Sequence, residues 1–391
     1  MKQMKKPFIS IIIAVYNNEK YLPFAVNSVL KQDVKDIEII IIDDGSTDNT
    51  PIIADELAKS DNRIKVIHQE NQWIFASFNN GIEIAKGEYI YILNSDDTLV
   101  DGCLKILENM AMEYKPDVIF TKVTVNECDE NQNIIKYDCG NRNGLVTEDK
   151  YLLKKQDIID NFGWLIETLL FDDQANLYAA NILKKYKFRN DVYGADTLYN
   201  IQIADELNSA IVYSGEVYQH YIYNLDNMNT AVGKYYGYEH SMYNEIYNGY
   251  IKLINKWNIK NMTLLKKMYR TRLSLYTSEM LAMQYKNCKL TIDEKICKVI
   301  DENVDEFIVE CARKSNCEEE LESRILSFLR ELFIKEVPKK TDKYYFMYEL
   351  LESLLRYEKD EVDIKRIYDG VYNEKNPKRI GKIFFDKIID K

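Results

Sequence analysis

Two short acidic segments, each closing an apolar run, concentrate the groups of this chain that suit chemistry. The first runs Ile39-Ile40-Ile41-Ile42-Asp43-Asp44-Gly45-Ser46, the second Tyr89-Ile90-Tyr91-Ile92-Leu93-Asn94-Ser95-Asp96-Asp97. Each run is short, rich in Ile or Tyr and bounded by polar turn residues, the pattern of a buried strand. Each strand then delivers carboxylates to its carboxyl end, the edge at which open parallel α/β sheets bind ligands. One acidic strand end is a weak signal; a pair of them suggests a site for a nucleotide and a metal.

The elements that must hold these groups alternate. Strands are expected over 8–15, 37–43, 64–68, 89–93 and 118–125, and helices over 21–30, 50–59, 76–85 and 104–114. The segment from Ser46 to Pro51 supplies caps and an early proline to the second helix, and Gly87 stops the third. Strand, helix, strand, repeated, implies right-handed crossovers and a mostly parallel, Rossmann-like sheet. Polar turns around a hairpin follow over 126–144, then helices over 178–186 and 195–206 and strands over 210–214 and 217–223. Beyond about residue 236 glycine and proline thin out and apolar residues recur at helical spacing. Leu321, Ile325, Phe328 and Leu332 form one such stripe, and Tyr345, Met347, Leu350 and Leu354 another. The expected fold is therefore an α/β domain over 1–235 followed by an all-helical domain over 236–391.

The bulk properties narrow the function. A chain of 391 residues has room for about two to three domains. Hydrophobic residues at 46% and charged residues at 29% suit a soluble globular protein. No apolar stretch approaches the roughly 20 residues that span a bilayer. The basic opening leads into residues 8–15 without a small-residue cleavage site and reads as a first strand, not a signal peptide. Seven cysteines without a C-x-x-C pair argue against a disulfide framework or a zinc site. The histidines (His68, His220 and His240) are too dispersed for a histidine cluster. A reducing compartment, the cytoplasm, is expected, with the inner face of the cell membrane an open alternative. The stretch Lys266-Lys267-Met268-Tyr269-Arg270-Thr271-Arg272 would suit an anionic membrane surface; a solvated helix face is the simpler reading. A net charge of −11 argues against nucleic acid as the main partner.

The motifs and their order resemble the glycosyltransferases of family 2. Those open on an apolar strand followed by Pro-x-Tyr-Asn, an acidic residue and Leu, and here Ala14-Val15-Tyr16-Asn17-Asn18-Glu19-Lys20-Tyr21-Leu22 stands in that place. Asp43-Asp44-Gly45-Ser46-Thr47-Asp48 resembles their second motif, and Asn94-Ser95-Asp96 their Asp-x-Asp metal motif. The resemblance covers 7–125 well and 165–225 loosely. It implies a GT-A fold and an inverting, metal-dependent hexosyltransferase that takes a nucleotide-sugar, a UDP-sugar first, with Mn²⁺ or Mg²⁺ on the donor diphosphate. It implies that Ala14, Tyr16, Glu19, Asp43, Asp44, Asn71, Asn94 and Ser95 line the nucleotide site and that Asp96 touches the metal. It also implies a general base within Tyr193-Gly194-Ala195-Asp196, where Asp196 is retained and the usual glutamate is Ala195. Trp164 and Asp172-Asp173 fall where family members shape the acceptor site. The acceptor implied is a surface glycan or a bacterial surface protein such as flagellin.

The chain also departs from the pattern. Asn94 replaces the first aspartate of the metal motif. The usual Asn-x-Gly-x-x-x-Ala-Arg-Asn-x-Gly reads Asn71-Gln72-Trp73-Ile74-Phe75-Ala76-Ser77-Phe78-Asn79-Asn80-Gly81, with Phe78 at the arginine. Trp73 and Phe75 suit either a pocket lining or plain packing. Two rivals follow: a non-catalytic binding module with a decayed site, and a nucleotidyltransferase. The second would carry a glycine-rich basic loop after the first strand, and Tyr16-Asn17-Asn18-Glu19 is neither.

Overall fold

The computed structural model describes residues 6–34, 36–129, 133–138, 144–168, 170, 175–223 and 234–291, and more sparsely those between 294 and 332. It divides into two compact units, one of Met1–Asn229 with Asn255–Ile259, the other of Thr230–Ile254 with Lys260–Lys391. Among the described residues no helix is long and apolar enough to cross a membrane.

In the first unit the elements run β1 (Ile9–Val15), α1 (Leu22–Leu30), β2 (Ile37–Asp43), α2 (Thr50–Ser60), β3 (Ile64–His68), α3 (Ile74–Ile84), β4 (Tyr89–Ile92), β5 (Thr98–Leu99), α4 (Cys103–Tyr114) and β6 (Val118–Cys128). Then come β7 (Ile134–Lys136), β8 (Lys150–Leu152), α5 (Lys155–Glu167), β9 (Leu177–Ala179), α6 (Ala180–Leu183), α7 (Ala195–Ala204) and β10 (Ala210–Tyr223). The strands form one sheet ordered β3-β2-β1-β4-β9-β6-β10-β5, with β7 beside β6 and β8 beside β10. The β3-β2-β1-β4 half is parallel throughout, and β10 is parallel to β6. The expected Rossmann-like sheet with covering helices is thus present. β1 and β2 are buried at every position, which is why they read as Ile-rich runs and not as alternating ones; the buried Ser10 and Glu38 within them bond to each other, Ser10 Oγ donating to Glu38 Oε1 at 2.6 Å. Each fully buried Ile there contributes roughly 1.5–3 kcal/mol. Gly81 lets α3 lie close on β1, since a Cβ at that position would fall 2.6 Å from Ile12 Cγ2.

The structure corrects the reading around residue 178. A helix over 178–186 is replaced by β9, and only the single turn of α6 follows. β9 fills the gap between β4 and β6 with antiparallel ladders on both sides. Backbone groups of both neighbours are satisfied that way, which outweighs the helix propensity of the Ala/Leu/Lys-rich segment. The two late strands are one bulged strand, β10, whose register against β6 slips on either side of Glu216.

The second unit holds most of α8 (Glu239–Lys256), with α9 (Met262–Ala282) and α10 (Glu306–Ser315), and further described helical residues fall between 294 and 332. Leu321, Ile325, Phe328 and Leu332 are all buried, while the stripe around Tyr345–Leu354 lies outside the described residues. The basic stretch is divided: Lys266, Lys267 and Arg270 are exposed, whereas Arg272 is completely buried. Its guanidinium donates to Glu279 Oε1 at 2.7 Å and to Asn244 Oδ1 at 2.7 Å, and His240 Nδ1 lies 3.0 Å from Glu279 Oε2. Arg272 is therefore an interior ion-pair residue and not part of a membrane-facing patch.

Candidate active site

Parallel register sets the site. Val15 pairs with Asp43 and Asp43 with His68, so β1, β2 and β3 end level; β4 stops at Ile92, opposite Ile12, and the Asn94–Asp97 segment follows it. The strand order turns back between β1 and β4, the place where such sheets leave a crevice. Ala14 is buried at the end of β1, and Tyr16, one residue beyond the strand, is 47% exposed. The turns after β1, β2 and β4 are laced together. Asn17 adopts φ 48°, its N–H donates to Ser46 Oγ at 2.9 Å, and its side-chain oxygen accepts from Thr47 N at 2.7 Å. Asn18 N donates to Thr50 Oγ1, and Asn18 Nδ2 donates to Ser95 Oγ at 2.8 Å. Glu19 accepts from Asn49 N at 2.8 Å, holding an orphan donor at the start of α2. In this structure Glu19 and Ser95 therefore fasten the edge on which the other groups sit.

Asp43 and Asp44 are both buried. Asp43 Oδ1 accepts from Ser46 N, while its Oδ2 lies 2.7 Å from His68 Nδ1. The Asp43 carboxylate raises the His68 pKa above its usual range; partial burial opposes this and Asp55 reinforces it. Asp44 Oδ1 accepts from Gln69 Nε2 at 2.7 Å and Gln72 N at 2.9 Å. These bonds fold the loop after β3 over the Asp43–Ser46 turn. Gly45, at φ +74°, backs onto that loop, and a Cβ there would stand 2.9 Å from Asn71 N. Asn71 is exposed on the same loop.

The second acidic segment divides its labour. Asp97 is completely buried. It accepts from Tyr218 Oη at 2.6 Å, Tyr221 N at 3.0 Å and Asn94 Nδ2 at 3.1 Å, and pairs with His220 Nδ1 at 3.0 Å. Asn94 N also donates to Tyr218 Oη. The antiparallel pairing of β5 with β10 brings these partners in, with Tyr218 opposite Leu99 and Gln219 opposite Thr98. Asp96 stays partly exposed. Burial, then the neighbouring charge of Asp97, push its carboxyl up to about 7, against the pull of His220. Among the described residues no three His, Cys, Asp or Glu side chains gather as a metal cage. A Mg²⁺ or Mn²⁺ ion that binds with a diphosphate would need no such cage, since these ions keep few protein ligands and complete their shell with phosphate oxygens and water. Asp96 fits that role. Asp97 is already committed to β10.

Asp196 lies in the first turn of α7, partly exposed, with Thr197 N donating to its Oδ1 at 2.8 Å. An aromatic ladder ties this helix to α3 and to the loop after β3. Tyr199, three residues on, stacks on Phe188 at 4.1 Å, Phe188 on Phe75 at 5.8 Å, and Phe75 meets Trp73 edge-on at 6.1 Å. Phe78, at the arginine position, is completely buried beside Phe75 and Phe188. Asn79 locks the ladder by exchanging two hydrogen bonds with the backbone of Phe188, each 2.8 Å. Trp164 is on α5 under the Lys150 ammonium, 4.8 Å from its ring. Asp172 and Asp173 lie outside the described residues.

Sequence reading missed the Asp97–His220 cluster, because it joins segments more than 120 residues apart. It left Trp73 between pocket lining and packing; the residue occupies the glycine position of the Asn-x-Gly pattern and has a glycine-like backbone, φ 78° and ψ 159°.

Comparison with known proteins agrees with this architecture. The profile of glycosyl transferase family 2 matches residues 10–187. An uncharacterized glycosyltransferase of Haemophilus influenzae is 31% identical over 212 residues, 54% of this chain and 77% of that protein. The glycosyltransferase GlyG of Streptococcus pneumoniae serotype 4 is 45% identical over 112 residues, 28% of this chain and 37% of that protein. The chain spans little more than a third of GlyG's length. The crystal structure of S. aureus TarS 1-349 in complex with UDP superposes with a TM-score of 0.54 at 18% identity, covering 91% of this chain and 94% of that one. That likeness shows a shared fold. With the motifs on one sheet edge and a relative matched over most of its length, the chain belongs to glycosyltransferase family 2.

Proposed function

We propose that this chain transfers a sugar, with inversion, from a UDP-sugar to a hydroxyl of a bacterial surface glycan or a surface protein such as flagellin. The observation that carries the reading is the gathering of Asp43, Asp44 and Asp96 on one sheet edge, laced by Asn18 and Glu19. TarS, which shares the fold, was crystallised with UDP, and that supports UDP as the nucleotide tried first. Asp43 and Asp44, with Tyr16 and Asn71, would receive the base and ribose. The proton of the acceptor hydroxyl passes to Asp196, the acceptor oxygen bonds to the anomeric carbon, and the bond from that carbon to the diphosphate oxygen breaks, its electron pair leaving with UDP. Positioned bases of this kind contribute on the order of 10²–10⁴ in rate. A Mn²⁺ or Mg²⁺ ion held at Asp96 would neutralise charge on the departing diphosphate.

Calorimetry with UDP and a panel of UDP-, GDP- and CDP-sugars, with and without Mn²⁺, tests the reading. Metal-dependent binding of one UDP-sugar, lost in Asp96→Ala, is expected. Absence of binding by every nucleotide would leave the binding-module reading in its place.

A further inference from the structure

Trp73 holds a backbone that costs an L-residue dearly. Its φ of 78° and ψ of 159° fall in a region populated essentially by glycine. The surrounding bonds over-determine it. On one side Asp44 accepts from Gln72 N and Gln69 Nε2. On the other the Trp73 carbonyl accepts from Ser77 N at 3.2 Å and Ser77 Oγ at 3.3 Å. Glycine would meet all of these bonds without strain, so packing of the backbone does not explain the indole. The ring is partly exposed. It lies 6.1 Å from the buried Phe75 in a T-shaped contact, and the loop that carries it is bonded directly to Asp44. Strain of this sort persists where it serves a ligand.

We propose that Trp73 is a recognition residue of the donor site: its indole forms the β3-side wall on which the nucleoside of the donor rests, beside Asp44. A flat aromatic surface suits a base, since every base has a π-face and stacking is retained across sequences of polar contacts. The inference rests on the nucleotide-binding reading above and adds the residue that sets the shape of the base pocket.

The test compares the full chain with Trp73→Gly and Trp73→Phe, using UDP and GDP as probes. In Trp73→Gly the melting temperature should stay level or rise, because the strain is relieved, while UDP affinity falls roughly tenfold and GDP affinity falls with it. A residue kept only for packing would lose stability and leave affinity alone. UDP should quench tryptophan fluorescence in the parent, and the quench should vanish in Trp73→Phe even where calorimetry shows UDP still bound. That arm decides the matter if the glycine variant does not fold. UDP affinity in Trp73→Gly within about twofold of the parent, or a quench that survives in Trp73→Phe, overturns the inference alone. A parent that binds neither UDP nor GDP overturns the donor reading itself and this inference with it.

Discussion

Adjacent aspartates at the end of β4 do different work, and each can be removed separately. Asp97 is buried and satisfied by Tyr218, Tyr221, Asn94 and His220. Asp97→Asn replaces one acceptor oxygen by a donor facing N–H and O–H groups, and should cost about 1–3 kcal/mol of stability, read as a lower denaturation midpoint. Asp96→Asn removes a carboxylate whose charge burial and Asp97 both oppose, so it should leave stability unchanged or raise it while abolishing metal-dependent nucleotide binding. If both variants lose stability equally, the division of roles is wrong. The pairing of His68 with Asp43 adds a pH dependence. The folded-state pKa of His68 lies above the ordinary imidazole value. Its stabilisation is therefore complete below about pH 6.5 and is lost as pH rises through the folded value. His68 is 43% exposed, so solvent screens the pair. The stability gap between the parent and His68→Gln should be about 0.5–1 kcal/mol at acid pH and should close in alkaline solution. A gap that widens with pH would exclude the ion pair as its source. Asp43, Asp44 and Asp96 were legible as single residues because strand ends announce themselves by an apolar run meeting a carboxylate. Asp97 and His220 were not, because what defines them is each other, across a fold the local pattern does not contain.

At the scale of elements, the parallel strands were legible and the inserted ones were not. β1, β2, β3 and β4 carry their own signal in length, Ile content and turn residues. β9, by contrast, is a three-residue strand defined by the ladders of β4 and β6 on either side. β5 is shorter still and exists by pairing with β10. The same logic explains Phe78. As a sequence departure it puts a phenylalanine where the family pattern has arginine; in the structure it is an interior member of the ladder that joins α3 to α7 through Phe188. Restoring the expected arginine should therefore fail. Phe78→Arg would bury a guanidinium in an apolar cluster with no acidic partner among its ring neighbours. We expect it to cost about 3 kcal/mol or more, with loss of soluble folded protein and no gain in nucleotide affinity. Recovery of tighter UDP binding in a stably folded Phe78→Arg chain would show that the helix can turn that position toward the ligand edge. It would also show that the aromatic ladder is dispensable for placing α7 and Asp196.

At the scale of the whole molecule, two units rest on different kinds of core. The first is built on a sheet whose central strands are mostly isoleucine and valine. The second places a completely buried arginine inside its helices, neutralised by Glu279 and braced by Asn244 and His240. Helical spacing revealed the apolar stripes of this unit. It did not reveal that Arg272, at the end of a run of surface lysines, turns inward, since a basic residue gives the same periodic signal on either face. Buried ion pairs are costly to break and cheap to replace as a whole, because desolvation is repaid only while both charges are present. Arg272→Met should therefore lower stability by about 3–5 kcal/mol by leaving the Glu279 carboxylate buried without its guanidinium. The double variant Arg272→Met with Glu279→Leu should recover most of that loss. The two-variant cycle reads the coupling directly in denaturant or heat. UDP affinity, which the proposed function assigns to the first unit, should stay unchanged in both variants. If the double variant is no more stable than Arg272→Met alone, the pair is not the determinant of this core. The hydrogen bonds from Arg272 to Asn244 and the packing of its stem would then have to account for the burial.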